Sequence, residues 1–241
     1  MVHRWMERLA TQVGTRNESD RAAWVKKALA RIPVGARILD AGAGEQRYKP
    51  SCTHLHYVAQ DFARYDGLGN GKGLHTGSWD QSGLDIVCDI TSIPEPDASY
   101  DAVLCIEVLE HLPEPLAALR ELSRILKPGG TLILTSPFCS LTHFAPYHFT
   151  TGFSVYFYRH HLHVLGFEIV EANPNGNYFE YLAQELRRLP QIAERYAKYK
   201  WKKREHILLG ILLRMLDGFC KKDAGSSHLL NYGYHVLARK R

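Results

Sequence analysis

Three carboxylates in this chain each stand at the end of a short apolar run. Asp40 closes Arg37-Ile38-Leu39 and opens into Ala41-Gly42-Ala43-Gly44, Asp61 follows the run from His54 to Ala59, and Asp89, with Ile90 behind it, follows Leu84 to Cys88. If the runs are parallel strands, all three acids sit at the C-terminal strand edge, where open α/β sheets bind ligands. Small residues at 41–44 let a backbone approach a ligand closely, and Gly42 and Gly44 tolerate a tight turn. The Asp40 carboxylate can attract an ammonium group. Asp61 is placed to accept two hydrogen bonds from ribose hydroxyls. Asp89 can accept a hydrogen bond from an adenine amino group while Ile90 offers an apolar face to the ring. The plainer readings are an ordinary surface acid for Asp61 and a helix cap or loop carboxylate for Asp89.

A nicotinamide-dinucleotide fingerprint would put a third glycine at position 47, and the residue there is Arg47. The pyrophosphate cradle of that motif is therefore poorly supported.

Glu107, Glu110 and His111 follow the fourth apolar run, Tyr100 to Ile106, and belong to the same edge. With a reference pKa near 6.5, an imidazole there can take a proton around neutral pH. His111 is open to three roles: a base, a group that positions an acceptor, or a cap that packs the crevice. The loop from Ser136 to Thr150 carries His143, Tyr147 and His148 among aromatic residues, which suits a partly apolar or sugar-like acceptor. A packed loop whose histidines bond to backbone explains the same residues. Asn173, Asn175, Asn177 and Tyr178 either border this region or form an Asn/Gly-rich turn. Cys52, His54 and His56 alternate and His160, His161 and His163 crowd together, but neither group has compact zinc spacing, so no metal is expected.

The elements that must position these residues are legible in order. Ser19 or Asp20 caps a helix to about Ala30, stopped by Pro33 and Gly35. Four glycines between Asp66 and Gly73 make a continuous helix costly there, so a long loop is predicted where a helix would ordinarily cross over. Pro115 to Leu126 reads as an amphipathic helix, Thr131 to Thr135 as a fifth strand, Phe153 to Leu165 as a helix, Phe167 to Ala172 as a sixth strand and Tyr234 to Ala238 as the last. The whole predicts an α/β fold, a doubly wound, mostly parallel seven-stranded sheet with a helical insertion before the last strand. Residues 1–18 are expected to be flexible or helical, and 19–241 one domain with the insertion at about 177–225.

The chain has 241 residues and a formal net charge of +5, concentrated at Arg187 to Arg204, Lys221-Lys222 and Arg239 to Arg241. Such bands can meet nucleic acid or anionic membrane, but no nucleic-acid motif accompanies them and solvated helix faces look the same. The five cysteines form no close pair and read as small buried side chains in a reducing compartment. The N-terminal residues lack the apolar region of a secretory signal. Ile207 to Cys220 is interrupted by Arg214 and Asp217 and is too short to span a bilayer. A cytoplasmic location is the expectation.

Taken together, Ile38 to Gly44, Asp61, Cys88-Asp89-Ile90, Tyr100 to His111 and Leu126 to Leu132 resemble the class I S-adenosylmethionine-dependent methyltransferases, in the branch called methyltransferase type 11. The likeness covers about residues 36–136. It implies a Rossmann-like fold and S-adenosyl-L-methionine as cofactor. It further implies Asp40, Gly42 and Gly44 at the methionine part, Asp61 at the ribose, Asp89 and Ile90 at the adenine, and the Glu107 backbone near the sulfonium. In that family a third glycine is frequent where this chain has Gln46. Residues His143 to Tyr178 also resemble, loosely, methyltransferase-like proteins of bacterial surface-polysaccharide or secondary-metabolite clusters.

The activity implied is methyl transfer, with a hydroxyl of a sugar or small metabolite as the expected acceptor. The sulfonium is already activated, so orientation and desolvation can supply much of the acceleration, while a hydroxyl acceptor still benefits from a base. His111, His143, Tyr147 and His148 are the candidates for catalysis. A homo-oligomer through the helical insertion is a possible partner arrangement, with no nucleic-acid or membrane partner assigned. Two other readings stay open: a nicotinamide-dependent oxidoreductase, and a non-catalytic cofactor-binding interaction protein.

Overall fold

Apolar residues along the runs predicted as strands fold into a seven-stranded sheet whose central strands are buried on both faces. The computed structural model describes residues 11–241, so most of the segment 1–18 expected to be flexible or helical lies outside the described residues. The elements are α1 (Asn17–Leu29), β1 (Arg37–Ala41), β2 (His56–Asp61), β3 (Ile86–Val87), β4 (Tyr100–Ile106), α2 (Pro115–Ile125), β5 (Leu126–Pro137), α3 (Val155–Val164), β6 (Phe167–Asn175), α4 (Tyr178–Ala197), α5 (Lys203–Cys220) and β7 (Gly233–Lys240). The sheet order is β3-β2-β1-β4-β5-β7-β6. β1 runs parallel to β2 and to β4, β2 to β3, and β4 to β5, whereas β7 is antiparallel to β5.

Strand alternation decides which layer each residue serves. On β1, Leu39 and Ala41 join one core with Val103 and Cys105 of β4, while Ile38 joins the other with Ala102 and Leu104. α2 presses Ala118, Leu119, Leu122 and Ile125 into the first core, and α1 presses Val25, Ala28 and Leu29 into the second. Each fully buried leucine contributes about 1.5–3 kcal/mol, so the two layers clamp the strand ends from both sides. Position Asp40 pairs with Ala59 and with Leu104, and Asp61 with Val87, which brings the strand ends and their acids to one edge.

The elements differ from expectation at their borders. The third strand, expected over 84–88, is a ladder of two residues, because Asp85 turns to bond Ala59: its amide donates to the Ala59 carbonyl and its carboxylate accepts from the Ala59 amide. The second strand starts at His56 and reaches Asp61, since Leu55 is still held in a turn by the Cys52 carbonyl. The α2 helix stops at Ile125, and β5 begins at Leu126 and runs through Pro137, longer than the run 131–135.

The described residues divide into two compact units, Arg21–Asn173 with Gly233–Arg241, and 11–20 with Pro174–Tyr232. The expected insertion, about 177–225, lies within the second of these. There Asn177 caps α4 by accepting from the Glu180 amide, and Ala183, Leu213 and Leu216 share a small core with Val13. The buried Glu180 carboxylate accepts from the Gly14 amide, from Arg16 and from the Tyr232 hydroxyl. Among the described residues no helix is long and apolar enough to cross a membrane.

Candidate active site

At the end of β1 the chain turns through Gly42, at φ +76°, and the amides of Gly42 and Ala43 both donate to the Gln60 carbonyl at 2.9 Å. A Cβ on Gly42 would stand 2.5 Å from a Val108 methyl, so this turn needs glycine for conformation and for space. One step further the Gly44 amide donates to Asp61 Oδ2 at 3.0 Å, and the Ala63 amide donates to Oδ1 at 2.9 Å. The Asp61 carboxylate thus ties the two strand ends together. Gln81 Nε2 also donates to Oδ1, at 3.4 Å, so with about four lone-pair positions on the carboxylate it is Oδ2 that keeps capacity for a further donor.

Gln46, where the resembled family often has glycine, adopts φ +55°. Its side-chain oxygen accepts from Lys49 at 2.8 Å, which anchors it in a conformation most residues avoid.

Asp89 accepts from the Thr91 amide at 2.9 Å and the Thr91 hydroxyl at 2.8 Å, both on Oδ1. These bonds hold its carboxyl below the usual range. Glu107, directly after β4, has φ +55°. Its amide donates to the Thr135 carbonyl, one carboxylate oxygen accepts from the Thr135 hydroxyl at 2.8 Å, and the other accepts from Arg21 at 2.9 Å. A left-handed non-glycine residue costs on the order of 1–3 kcal/mol and persists where its surroundings fix it, as these three bonds do.

These turns surround a cavity of about 500 Å³ lined by Gly42, Asp61, Asp89, Ile90, Glu107 and Val108 together with six aromatic residues, Phe62, Tyr65, Trp79, Phe144, Tyr147 and Phe149. Small-molecule sites run from about 300 to 1,000 Å³ and are mostly apolar with a few polar groups, and this cavity has that character. The aromatic wall comes from two loops zipped together. Asn70 donates to the Ala145 carbonyl, Leu74 donates to Thr142, and Phe144 donates back to Leu74. A Cβ on Gly69 would lie 2.2 Å from the Ala145 oxygen, so the glycine-rich loop is what lets these backbones meet. Tyr65 then packs edge-on to Trp79 with ring centroids 4.9 Å apart, and tilted against Phe144 at 4.8 Å.

His111 closes a 3-10 turn, Leu109–His111, and lines the cavity. Its Nδ1 lies 2.5 Å from the Tyr147 carbonyl, and since a carbonyl only accepts, Nδ1 carries the proton. The amides of Phe149 and Thr150 donate to the Glu110 carbonyl, so the 136–150 loop is pinned to this turn. Burial, with His143 and His148 nearby, lowers His111 to about 3 and keeps it neutral. Glu110 is fully buried, and burial with the neighbouring Glu107 charge raises its carboxyl well above the usual range. Its own amide and the Ser136 hydroxyl lessen that cost without meeting normal hydrogen-bond geometry. Ring centroids of His143 lie 4.7 Å from His111 and 4.9 Å from His148.

Of the residues singled out in the sequence, Gly42, Asp61, Asp89, Ile90, Glu107, His111 and Tyr147 line the cavity, and Asp40, Gly44, His143 and His148 do not. Asp40 is buried on the face opposite Leu39 and Ala41, where Tyr57 donates to it at 2.5 Å. Gly44 is covered by Trp79. His148 is within 3.2 Å of the Ser140 hydroxyl. Asn175 lies in the other unit, where its side chain donates to the Asn17 carbonyl. Sequence reasoning missed Phe62, Tyr65 and Trp79. The available signal was the aromatic residues flanking the glycine-rich loop, with no periodicity to say which way they face.

Residues 39–134 match the family described as Methyltransferase domain. The chain is 34% identical over 108 residues to the ubiquinone biosynthesis O-methyltransferase of Xanthomonas axonopodis pv. citri, covering 43% of this chain and 44% of that protein. It is 36% identical over 106 residues to the enzyme of the same name from Xanthomonas oryzae pv. oryzae, at 43% and 44% coverage. The match therefore spans less than half the length of these relatives. Among solved structures, a SAM-dependent methyltransferase from Archaeoglobus fulgidus superposes with a TM-score of 0.58 at 16% identity, over 93% of this chain and 94% of that one, a likeness of fold. The family match falls on the strands and turns that carry Gly42, Asp61, Asp89 and Glu107.

Proposed function

We propose that this protein transfers a methyl group from S-adenosylmethionine to a hydroxyl of a ring-bearing small molecule. The observation that carries the reading is the cavity itself, with Asp61 and Asp89 at the strand ends on one wall and His111 among aromatic rings on another. The residues suit the cofactor. After accepting the Gly44 and Ala63 amides, Asp61 keeps a lone pair on Oδ2 for one ribose hydroxyl, and the long Gln81 bond to Oδ1 can give way to a second, and the turn at Gly42 has no room for a side chain. Asp89 and Ile90 would hold the adenine, and the Glu107 backbone would pass beside the methionine part. Asp40 and Gly44 would act from behind the wall by fixing the turn.

When bound, the cofactor supplies a methyl group on a positively charged sulfur. The chain's own contribution is to exclude water and hold the acceptor in line, which can account for several kcal/mol of the barrier. Aromatic faces at Tyr65, Trp79 and Phe144 suit a flat or sugar ring, and His111, the imidazole that lines the cavity, would receive its hydroxyl. The relatives' names, O-methyltransferases of ubiquinone biosynthesis, support oxygen as the methylated atom. Tyr147 would complete the acceptor wall, while His143 and His148 would act through His111, against which their rings pack.

The test is a panel of hydroxylated aromatics and saccharides incubated with cofactor, with product detected by mass spectrometry, and NAD as the control ligand in calorimetry. A methylated product that depends on the protein supports the reading, and binding of NAD without response to S-adenosylhomocysteine overturns it. With the acceptor in hand, His111→Ala lowers the single-turnover rate by about 10²–10⁴-fold at saturating cofactor.

The second unit offers a surface for self-association. On α5, Leu208, Ile211, Met215 and Phe219 are exposed at helical spacing. Sedimentation velocity that finds monomer at all concentrations removes a homo-oligomer from the reading.

A further inference from the structure

The turn between α4 and α5 carries most of the chain's charge surplus. From Glu194 to Glu205 six cations, Arg195, Lys198, Lys200, Lys202, Lys203 and Arg204, stand against two carboxylates, a surplus of four in a chain whose formal net charge is +5. Tyr196, Tyr199 and Trp201 are interleaved with them. All six cations are exposed, as are both tyrosines, and Trp201 is half-buried.

The turn is built, not slack. Lys198 ends α4 in the left-handed region at φ +54°, and the Tyr199 amide donates back to the Ala193 carbonyl at 3.2 Å. Glu205 holds the other side, accepting from the Tyr199 hydroxyl on one oxygen and from the Lys202 amide on the other, both at 2.6 Å. Ion pairs join Glu194 to Lys200 at 3.5 Å and Glu205 to Arg204 at 3.7 Å, at the surface where water screens them. Rings and surplus charge are therefore presented in a set arrangement, which spares a binding event part of the cost of ordering them.

The helix that leaves the turn is apolar on its outer side from its second turn on. Leu208 is 56% exposed and Ile211 47%, one helical step apart. Cations, Tyr and Trp beside exposed aliphatic side chains match the headgroup layer of an anionic bilayer. The charges meet lipid phosphates, the rings lie among the headgroups, and the aliphatic groups reach the acyl chains. A nucleic acid would take the cations and stack on the rings but would leave Leu208 and Ile211 in water. A second copy set against the same turn would bring six more cations to it.

We propose that the α4–α5 turn is a docking surface for an anionic lipid bilayer, with its cations on the lipid phosphates and Trp201 and Leu208 entering the interface. The association is peripheral, because no described helix is long and apolar enough to cross a membrane. It weakens with salt, since the attraction is screened over a Debye length of about 8 Å at physiological ionic strength. Nothing in it depends on the methyl-transfer reading.

The experiment is cosedimentation of the full-length protein with vesicles of phosphatidylcholine alone and of phosphatidylcholine mixed with phosphatidylglycerol, at low and high salt, without cofactor or acceptor. The expected result is binding to the anionic vesicles at least about 10-fold tighter than to the neutral ones, lost at high salt. Lys202→Glu with Lys203→Glu, at a helix N-terminus where acids are favourable, weakens that binding at least about 10-fold. Leu208→Ser, at an exposed position, weakens it about 3-fold or more and leaves its salt dependence in place. Thermal unfolding shows that both variants fold. Equal binding to neutral and anionic vesicles, or binding unchanged in the folded double variant, overturns the proposal. Salt-sensitive retention of RNA in a gel shift at protein concentrations too low to bind the vesicles also overturns it, in favour of a nucleic acid.

Discussion

The Tyr57 hydroxyl donates to Asp40 Oδ2 at 2.5 Å, behind the turn at Gly42. Burial outweighs this bond and raises Asp40 from 3.8 to about 7, with the Asp61 charge adding to the rise. The folded protein therefore holds a proton that the unfolded chain releases between those values. The associated stability is full below about pH 4 and is lost as pH rises through 7. Asp40→Asn removes the titration, so in urea unfolding the variant gains on the wild type by on the order of 1–3 kcal/mol between pH 4 and 7.5. A constant difference across that range refutes the assignment.

Asp61 bonds to protein amides and, under the proposed function, also to the cofactor, so its loss has two separable costs. Asp61→Ala weakens S-adenosylhomocysteine binding about 10–100-fold in calorimetry and lowers stability by about 1–3 kcal/mol, because the Gly44 and Ala63 amides lose their acceptor. Unchanged affinity in the folded variant would remove Asp61 from the site.

Gly42→Ala meets both a positive φ and a Val108 methyl group. The expected destabilisation is about 1–3 kcal/mol with a loss of cofactor affinity. Adding Val108→Ala removes the clash and leaves the strain, so the double variant recovers part of the loss. Chemical denaturation of all three proteins measures both parts.

Trp79 lines the cavity and covers Gly44, with its indole nitrogen donating to the Thr76 hydroxyl at 2.8 Å. Cofactor binding should therefore change tryptophan fluorescence, and Trp79→Phe should abolish that change while calorimetry still detects binding. A full fluorescence response in Trp79→Phe places the ligand elsewhere.

The sequence by itself determined the sheet and its ligand edge. Ile38 to Asp40, Val103 to Cys105 and Leu132 to Leu134 are apolar runs of strand length, and the small residues after Asp40 permit one tight turn, information carried within a few neighbouring positions. Asp61 and Asp89 were legible because each stands at the end of such a run, and His111 because it lies within one turn beyond another. Tertiary structure alone decided that Asp40 turns inward to Tyr57, since alternation fixes the face of a side chain while the register against β2 supplies its neighbour. It alone decided the aromatic wall, because Trp79 meets Phe144 edge-on only once backbone bonds from Asn70 and Leu74 hold the 142–145 loop, distant in sequence, alongside. It also decided the meeting of Glu110 with His143, which depends on the Phe149 and Thr150 amides folding their loop back onto the Glu110 carbonyl. Local patterns encode strands and turns, whereas a contact between two irregular loops leaves no period in the sequence to be read.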